Sequence, residues 1–302
     1  MSDVRVGILC SRIRSDERLL IEALDERGHE VVRADIRKLR FDLDGTPLTP
    51  EGTPHDIADV DVVVDRCLSA TRGLYAARHL QSAGVPVVND PDVAEICADK
   101  AKTSLALADA GVPTPRTEVA FTQESALAAI ESFGYPCVLK PVTGSWGRLM
   151  AKIDSPNAAE AILEHKKTLG HYEHGVFYVQ EFVDKPGRDL RVVAVDGEPI
   201  AGMARYGDDW LTNAARGAET EPFAVNGEVE ELVRAASETV GGGLLGVDLM
   251  ETGSGYTVHE VNHGVEFTAL NGTVETDVPG AVVEWLETVA TDADTIRAEV
   301  TV

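Results

Sequence analysis

Short apolar runs bounded by polar turns alternate along this chain with longer stretches in which apolar side chains recur every three or four positions. Val4 to Leu9 form the first run. Leu19, Leu20, Ala23 and Leu24 then give Asp16 to Glu26 a helical spacing that stops at Gly28. Val31-Val32, Val60 to Val64 and Val85 to Val88 continue as buried strands, with a helix over Arg72 to Ala83 between the last two. This order predicts a small open α/β sheet ending near Asn89. Gly7 lies in the first strand, but no clustered glycines follow it, so a dinucleotide-binding fingerprint is excluded.

Ala94 to Ala110 reads as one helix carrying Lys100, closed by Gly111 and by the breakers Pro113 and Pro115. Thr117 to about Leu169 reads as a β-α-β-β-α unit. Its parts are a helix over Ser125 to Phe133, a strand Cys137 to Lys140, the loop Gly144-Ser145-Trp146-Gly147-Arg148, a strand through Met150 to Ile153 and a second helix. From Phe177 onward, several strands surround one well-formed helix, Val229 to Val240, stopped by Gly241-Gly242-Gly243. The fold class is therefore α/β followed by α+β.

Candidate chemistry concentrates in a hairpin. The strand through Leu244 to Met250 carries Asp248, the turn Thr252-Gly253-Ser254-Gly255 reverses the chain, and the return strand carries Glu260 and Asn262 two residues apart on one face. Three hard oxygen donors on adjacent strands suit a magnesium ion that keeps water and takes phosphate oxygens. Lys140 ends a strand beside the glycine-containing loop 144–148, an arrangement suited to clamping a phosphate, although the spacing is not that of a P-loop. Val179-Gln180-Glu181-Phe182-Val183 offers backbone groups and one carboxylate to an adenine and ribose. Asp189-Leu190-Arg191 opens the next strand, and Arg205, Asn213 and Arg216 supply groups matched to phosphate oxygens.

Charge changes the picture. The chain holds 27 basic and 51 acidic residues, a net of −24, which disfavours binding to nucleic acid or an anionic membrane. Scarce lysine and dispersed carboxylates resemble the composition of proteins from salt-accumulating organisms. Cys10, Cys67, Cys97 and Cys137 are isolated and read as small core residues. With no leader and no membrane-length apolar run, a cytoplasmic location is expected.

The order of Lys100, Lys140 with its loop, Glu181, Arg205, Asn213-Ala214-Ala215-Arg216-Gly217, Asp248 and Glu260-Val261-Asn262 resembles the ATP-grasp ligases of the branch related to ribosomal S6 modification enzymes. Four further segments are Arg12-Ile13-Arg14-Ser15-Asp16-Glu17, Ser145-Trp146-Gly147-Arg148, Lys185-Pro186-Gly187-Arg188-Asp189 and Glu260 through Phe267. These narrow the resemblance to ligases that join an amino acid to an amino-group carrier protein in lysine or arginine biosynthesis. The resemblance implies an N-terminal pre-ATP-grasp domain over 1–90, a small ATP-grasp lobe over 91–172 and a C-terminal lobe with the metal site over 173–302. It implies ATP and Mg2+ as cofactors. Lys100, Lys140, Gly144, Ser145, Trp146, Gly147, Arg148, Gln180, Glu181, Phe182, Val183, Asp189, Arg191 and Arg205 become the nucleotide site, with Asp248, Glu260 and Asn262 on the metal. Arg205, Asn213 and Arg216 become catalytic. Asn213, Ala214, Ala215, Arg216, Glu266, Phe267, Thr268, Ala269 and Leu270 become substrate-binding.

The partner implied is a small acidic carrier protein whose C-terminal glutamate is activated as an acyl phosphate, and the family resemblance implies a homo-oligomer. Ala269-Leu270 matches neither the Asn-Ser/Thr pair of the aminoadipate-using branch nor the Gly-Phe pair of the glutamate-using branch. It is nearer the latter, with a bulky residue that would shorten the pocket, so glutamate is expected, α-aminoadipate being the close alternative. Gly264 and Ala218 depart from the usual Thr and Gly. Because an acidic carrier would be repelled, Arg12, Arg14, Arg72, Arg148 and Arg188 are candidates for a local basic dock.

Overall fold

The computed structural model describes residues 3–144, 149–169, 175–207, 210, 212 and 219–300. Its N-terminal part is a parallel sheet built from β1 (Arg5–Cys10), β2 (Glu30–Asp35), β5 (Val62–Asp65) and β6 (Val87–Val88), with α1 (Ser15–Glu26) and α2 (Ala70–Ser82) as crossovers. A two-stranded ribbon, β3 (Arg40–Phe41) and β4 (Pro47–Leu48), lies between β2 and β5 in the chain. The sheet order is β2-β1-β5-β6. The carboxyl ends of β1 and β5 thus flank the point where the winding reverses, a place where such sheets form crevices. Gly7 serves packing, since an added Cβ would meet Val63 Cγ2 at 2.9 Å and Ile57 Cγ1 at 3.1 Å.

Where the apolar spacing predicts a single helix over Ala94 to Ala110, the chain makes two, α3 (Pro91–Cys97) and α4 (Lys100–Asp109). Asp99 is the reason. Its carboxylate accepts the N–H groups of Ala101 at 2.9 Å and Lys102 at 3.1 Å, a cap that starts a new helix. Lys100 consequently stands on the first residue of α4.

A second sheet comprises β7 (Thr117–Ala120), β8 (Cys137–Lys140), β9 (Ala151–Ile153) and β10 (Phe177–Glu181) in the order β7-β10-β8-β9, all antiparallel. With α5 (Gln123–Phe133) and α6 (Pro156–Leu169) it encloses its own core of Ala126, Ile130, Leu139, Ile153, Leu163 and Val179. A third, five-stranded antiparallel sheet runs β13-β12-β11-β14-β15. Its strands are β11 (Arg188–Val195), β12 (Glu198–Tyr206), β13 (Glu219–Phe223), β14 (Leu244–Thr252) and β15 (Gly255–Asn262). Helix α7 (Gly227–Val240) covers one face, setting Val229, Val233, Ala236 and Val240 against Leu190, Val192, Leu245 and Val247.

The expectation of one helix in this C-terminal stretch is incomplete. Two more follow β15, the short α8 (Thr268–Asn271) and the long α9 (Val278–Val300). Val278, Val282, Val283, Leu286 and Ala290 carry a helical spacing, and all are buried. They join Val6, Ile8, Leu20 and Leu24 of the N-terminal part with Met203, Leu244, Phe267 and Leu270 in one continuous core. The first and third sheets are thereby welded together, while the second is packed separately.

Cys10, Cys97 and Cys137 are buried, Cys67 is half-buried, and none is paired. Burial pushes the Cys97 thiol up to about 12, which leaves it unreactive. Among the described residues no helix is long and apolar enough to cross a membrane.

Helix α9 is also tied to α1 and β2 by charge. Glu287 accepts from Arg27 Nε and Nη2, both at 2.8 Å, and lies 2.7 Å from His29 Nε2. The bonds from Arg27 lower its carboxyl to about 2. A depressed carboxylate contributes stability above its unfolded pKa near 4.5, and this is lost as pH falls toward 2. Glu287→Gln is therefore expected to cost ~1 kcal/mol or less at pH 7. In thermal unfolding followed by circular dichroism, its gap from the wild type should close progressively as pH falls from about 4.5 to about 2; a pH-independent gap would contradict this contact.

Candidate active site

Cross-strand register builds the centre of the site. Alternation in β11 sends Leu190 and Val192 under α7 and turns Asp189 and Arg191 to the opposite face. Asp189 lies opposite Arg205 on β12, Arg191 opposite Asp248 on β14, and Asp248 opposite Glu260 on β15. The side chains pair as the register dictates. Arg205 Nε donates to Asp189 Oδ1 at 2.6 Å, and its Nη2 lies 3.1 Å from Asp248 Oδ1. Arg191 grips the same carboxylate with two donors, Nη2 reaching Oδ2 at 2.7 Å and Nε reaching Oδ1. Burial alone would raise the Asp248 carboxyl, but Arg191 and Arg205 outweigh it and hold the group ionised, well below the usual carboxylate range.

A β-bulge then adds a residue that the sequence spacing hides. Asp248 pairs with Glu260 but Leu249 pairs with Val258, leaving His259 as the extra residue. Period-two alternation sends His259 to the face opposite Glu260. The bulge instead brings its ring within 3.3 to 3.4 Å of Lys140 Nζ. Lys140 closes β8, is 3% exposed, and donates to Gln180 Oε1 at 2.5 Å. Gln180 is oriented for this by its own amide, which donates to Thr117 Oγ1 at 2.9 Å and Tyr178 Oη at 2.8 Å. Burial lowers the Lys140 ammonium to about 7 despite the pull of Glu260, with Lys100 and Lys185 opposing its charge.

Lys100 donates to the Gly144 carbonyl at 2.8 Å and lies 3.0 Å from Glu260 Oε1, so it links the loop after β8 to the third sheet. Lys185 lies 3.5 Å from Asp189 Oδ2 and donates to Thr212 Oγ1, which in turn donates to Asp189 at 2.5 Å. Five cationic side chains, Lys100, Lys140, Lys185, Arg191 and Arg205, thus meet three carboxylates, Asp189, Asp248 and Glu260. In a chain of net charge −24, a cationic excess inside a cleft is a seat for a polyanion. Lys185 and His259 were not among the expected site residues.

For a metal ion, Asp248 and Glu260 face each other across the ladder, and Asn262 Nδ2 reaches 3.5 Å from Asp248 Oδ2. Two carboxylates and one amide oxygen from adjacent strands suit a hard divalent cation that arrives with phosphate oxygens and keeps water. The donor set fits.

Beside the cluster, the chain leaving β10 borders a cavity of about 390 Å³ lined by Thr114, Glu181, Phe182, Val183, Tyr256 and Thr257. Gln180 keeps its side chain buried toward Lys140, so Glu181 to Val183 are what this edge presents to the cavity. Ser145, Trp146, Gly147, Arg148, Asn213, Ala214, Ala215 and Arg216 lie outside the described residues. Of the expected substrate residues, Phe267 and Leu270 are fully buried in the shared core; Glu266 is half-buried, and Thr268 and Ala269 are exposed. Leu270 packs into the shared core, and Ala269 is the exposed member of the pair. The basic dock is also reduced: Arg14 is engaged by Glu17 and Glu266, and Arg188 by Glu251 and Tyr206.

Comparison with known proteins agrees with this geometry. The LysX preATP-grasp domain matches residues 6–96, and the RimK-like ATP-grasp domain matches residues 97–286. The chain belongs to the RimK-like ATP-grasp family, with an N-terminal pre-ATP-grasp domain. It is an ATP-dependent carboxylate-amine ligase, of a class that uses ATP with a divalent metal. It is 34% identical to the alpha-aminoadipate–LysW ligase LysX of Saccharolobus solfataricus, covering 84% of this chain and 90% of the relative. It is 30% identical to the glutamate–LysW ligase ArgX of Sulfurisphaera tokodaii, covering 94% and 98%. The crystal structure of a RimK domain ATP-grasp protein from Sphaerobacter thermophilus shares its fold with a TM-score of 0.76 at 32% identity, covering 93% of this chain and 98% of that one.

A phosphate set beside Lys140 favours its charged form and raises its pKa above about 7. Nucleotide binding at pH 8 should then take up a proton, and affinity should fall toward tenfold per unit as pH rises through that window. Calorimetric titration with ADP in buffers of different ionisation heat measures the uptake. The wild type should show it and Lys140→Met should not; equal heats in all buffers for the wild type would refute the assignment.

Proposed function

We propose that this chain uses ATP to activate the side-chain carboxylate of a C-terminal glutamate on a small acidic carrier protein, and joins it to the α-amino group of glutamate. The observation that carries the reading is the cationic cluster of Lys100, Lys140, Lys185, Arg191 and Arg205 around paired carboxylates, in a chain similar over most of its length to ligases named for such a carrier. In this reading Lys100 and Lys140 hold the nucleotide phosphates, Gly144 and residues 145–148 cover them, and Glu181 to Val183 receive the adenine. Asp189 and Arg191 complete the nucleotide side. A metal ion held by Asp248, Glu260 and Asn262, Mg2+ in this reading, supplies charge neutralisation on the phosphates.

The carboxylate oxygen of the carrier attacks the γ-phosphorus and ADP departs, leaving an acyl phosphate. The amino nitrogen then attacks the acyl carbon, the C–O bond to phosphate breaks, and loss of a proton from nitrogen gives the amide and inorganic phosphate. Arg205, with Asn213 and Arg216, steadies the acyl phosphate and the oxyanion. The work is positioning and charge compensation, without a covalent enzyme intermediate.

A second reading, with α-aminoadipate as the incoming amino acid, is favoured by the 34% identity to an aminoadipate-using relative. Burial of Leu270 leaves Ala269 as the exposed member of the pair that separates the two branches. The net charge of −24 supports operation in a salt-rich cytoplasm, where screening over ~3 Å at 1 M lets an acidic carrier approach.

Phosphate release by the purified protein with ATP, Mg2+ and carrier in molar salt tests the proposal. Release should require the carrier and be stimulated by glutamate more than by α-aminoadipate. The reverse preference selects the second reading, and turnover confined to free peptides would remove the carrier from both. Glu260→Gln is expected to lower kcat/KM at least 100-fold.

A further inference from the structure

The start of α1 and Arg66, which follows β5, together hold the segment after β15 at four consecutive residues. Arg66, at the end of β5, donates from Nη1 to the Val265 carbonyl at 2.7 Å, and its Nε lies 3.2 Å from Glu17 Oε1. Arg14 Nη1 reaches Glu266 Oε1 at 2.7 Å while its Nη2 holds Glu17 at 2.7 Å. Asp16 Oδ1 accepts the backbone N–H of Phe267 at 2.7 Å and of Thr268 at 2.9 Å. The side chains of Glu17 and Arg66 are 0% and 2% exposed.

Helix α8, which begins here, is four residues long, and Phe267 at its cap position offers no side-chain acceptor. A helix this short does not persist unaided, and Asp16 supplies the missing cap and a negative charge at its amino end from a distant part of the chain. The segment gripped in this way begins three residues beyond Asn262. At its far side Thr273 Oγ1 is 2.8 Å from Thr220 Oγ1, and Thr220 pairs with Arg205. The stretch that runs on from Asn262 therefore ends beside the cross-strand neighbour of Arg205, and Gly264, Thr268 and Ala269 along it are exposed. Three of the four grips are made to backbone atoms, so they set the path of this segment whatever side chains it carries.

We infer that Arg14, Asp16, Glu17 and Arg66 are positioning residues for the amino-acid subsite: the N-terminal part of the chain sets the path of residues 265–268, and that path sets the fit of the incoming α-amino acid. The inference rests on the ligase reading above. Among the described residues none of the four is hydrogen-bonded or ion-paired to the cationic cluster, so the effect falls on the amino acid and not on ATP.

Asp16→Ala should raise the KM for the preferred amino acid tenfold or more, leave the KM for ATP within twofold, and change the ratio of kcat/KM between glutamate and α-aminoadipate. Asp16→Asn, which keeps one oxygen acceptor, should recover most of the loss. If Asp16→Ala does not fold, Arg14→Gln is read the same way, since it releases Glu266 while Glu17 keeps Arg66. An unchanged amino-acid KM in an active variant, or equal losses for amino acid and ATP, overturns the clamp alone. A wild type that turns over with no amino acid in the presence of carrier overturns the ligase reading, and this inference with it.

Discussion

Asp248 is a carboxylate buried between two guanidinium groups, and the geometry of the site follows from that arrangement. Arg191 reaches it from the adjacent strand and Arg205 from the strand beyond, Arg205 also binds Asp189, and Asp189 in turn orders Thr212 and Lys185. Each group is compensated by the next, which is what allows so many charges to be withdrawn from water. Removing one partner of a buried pair typically costs 3–5 kcal/mol because the other charge is stranded. The network is therefore stiff, and it presents the Asp248 and Glu260 oxygens at a defined separation set by the ladder.

Against this stiff centre stands a separately packed second sheet. Lys140 and Gln180 belong to it, and the contacts of Lys140 with His259 and of Lys100 with Gly144 carry it onto the third sheet. The first and third sheets share a core and cannot shift independently without breaking it. The cationic cluster thus lies along a boundary that, among the described residues, no shared apolar core crosses. That placement suits a site whose substrate must enter between two sheets and be enclosed.

Much of the fold was legible in the sequence because local pattern and final structure agree there. The strand Cys137–Lys140, the hairpin carrying Asp248 and Glu260, and the glycine stop after Val240 follow from alternation, turn chemistry and helix termination. Other features depend on pairing or on distant partners. His259 enters the site through a bulge, which single-strand alternation does not encode, and Asp99 splits a continuous helical pattern by capping. Phe267 and Leu270 read as pocket residues by motif position, yet α9 and the first sheet close over them. Lys185 follows a plain turn motif and gains its meaning when Asp189 and Thr212 converge on it.

The central claim is that this cluster transfers a phosphoryl group to a carboxylate before the amine attacks. Isotope tracing tests it most directly: the carrier's C-terminal glutamate is labelled with ¹⁸O in its side-chain carboxylate, and the products of a single turnover are read by mass spectrometry. The account predicts one ¹⁸O atom in the released inorganic phosphate and ADP as the nucleotide product. Label absent from phosphate, or label appearing in AMP, would contradict it.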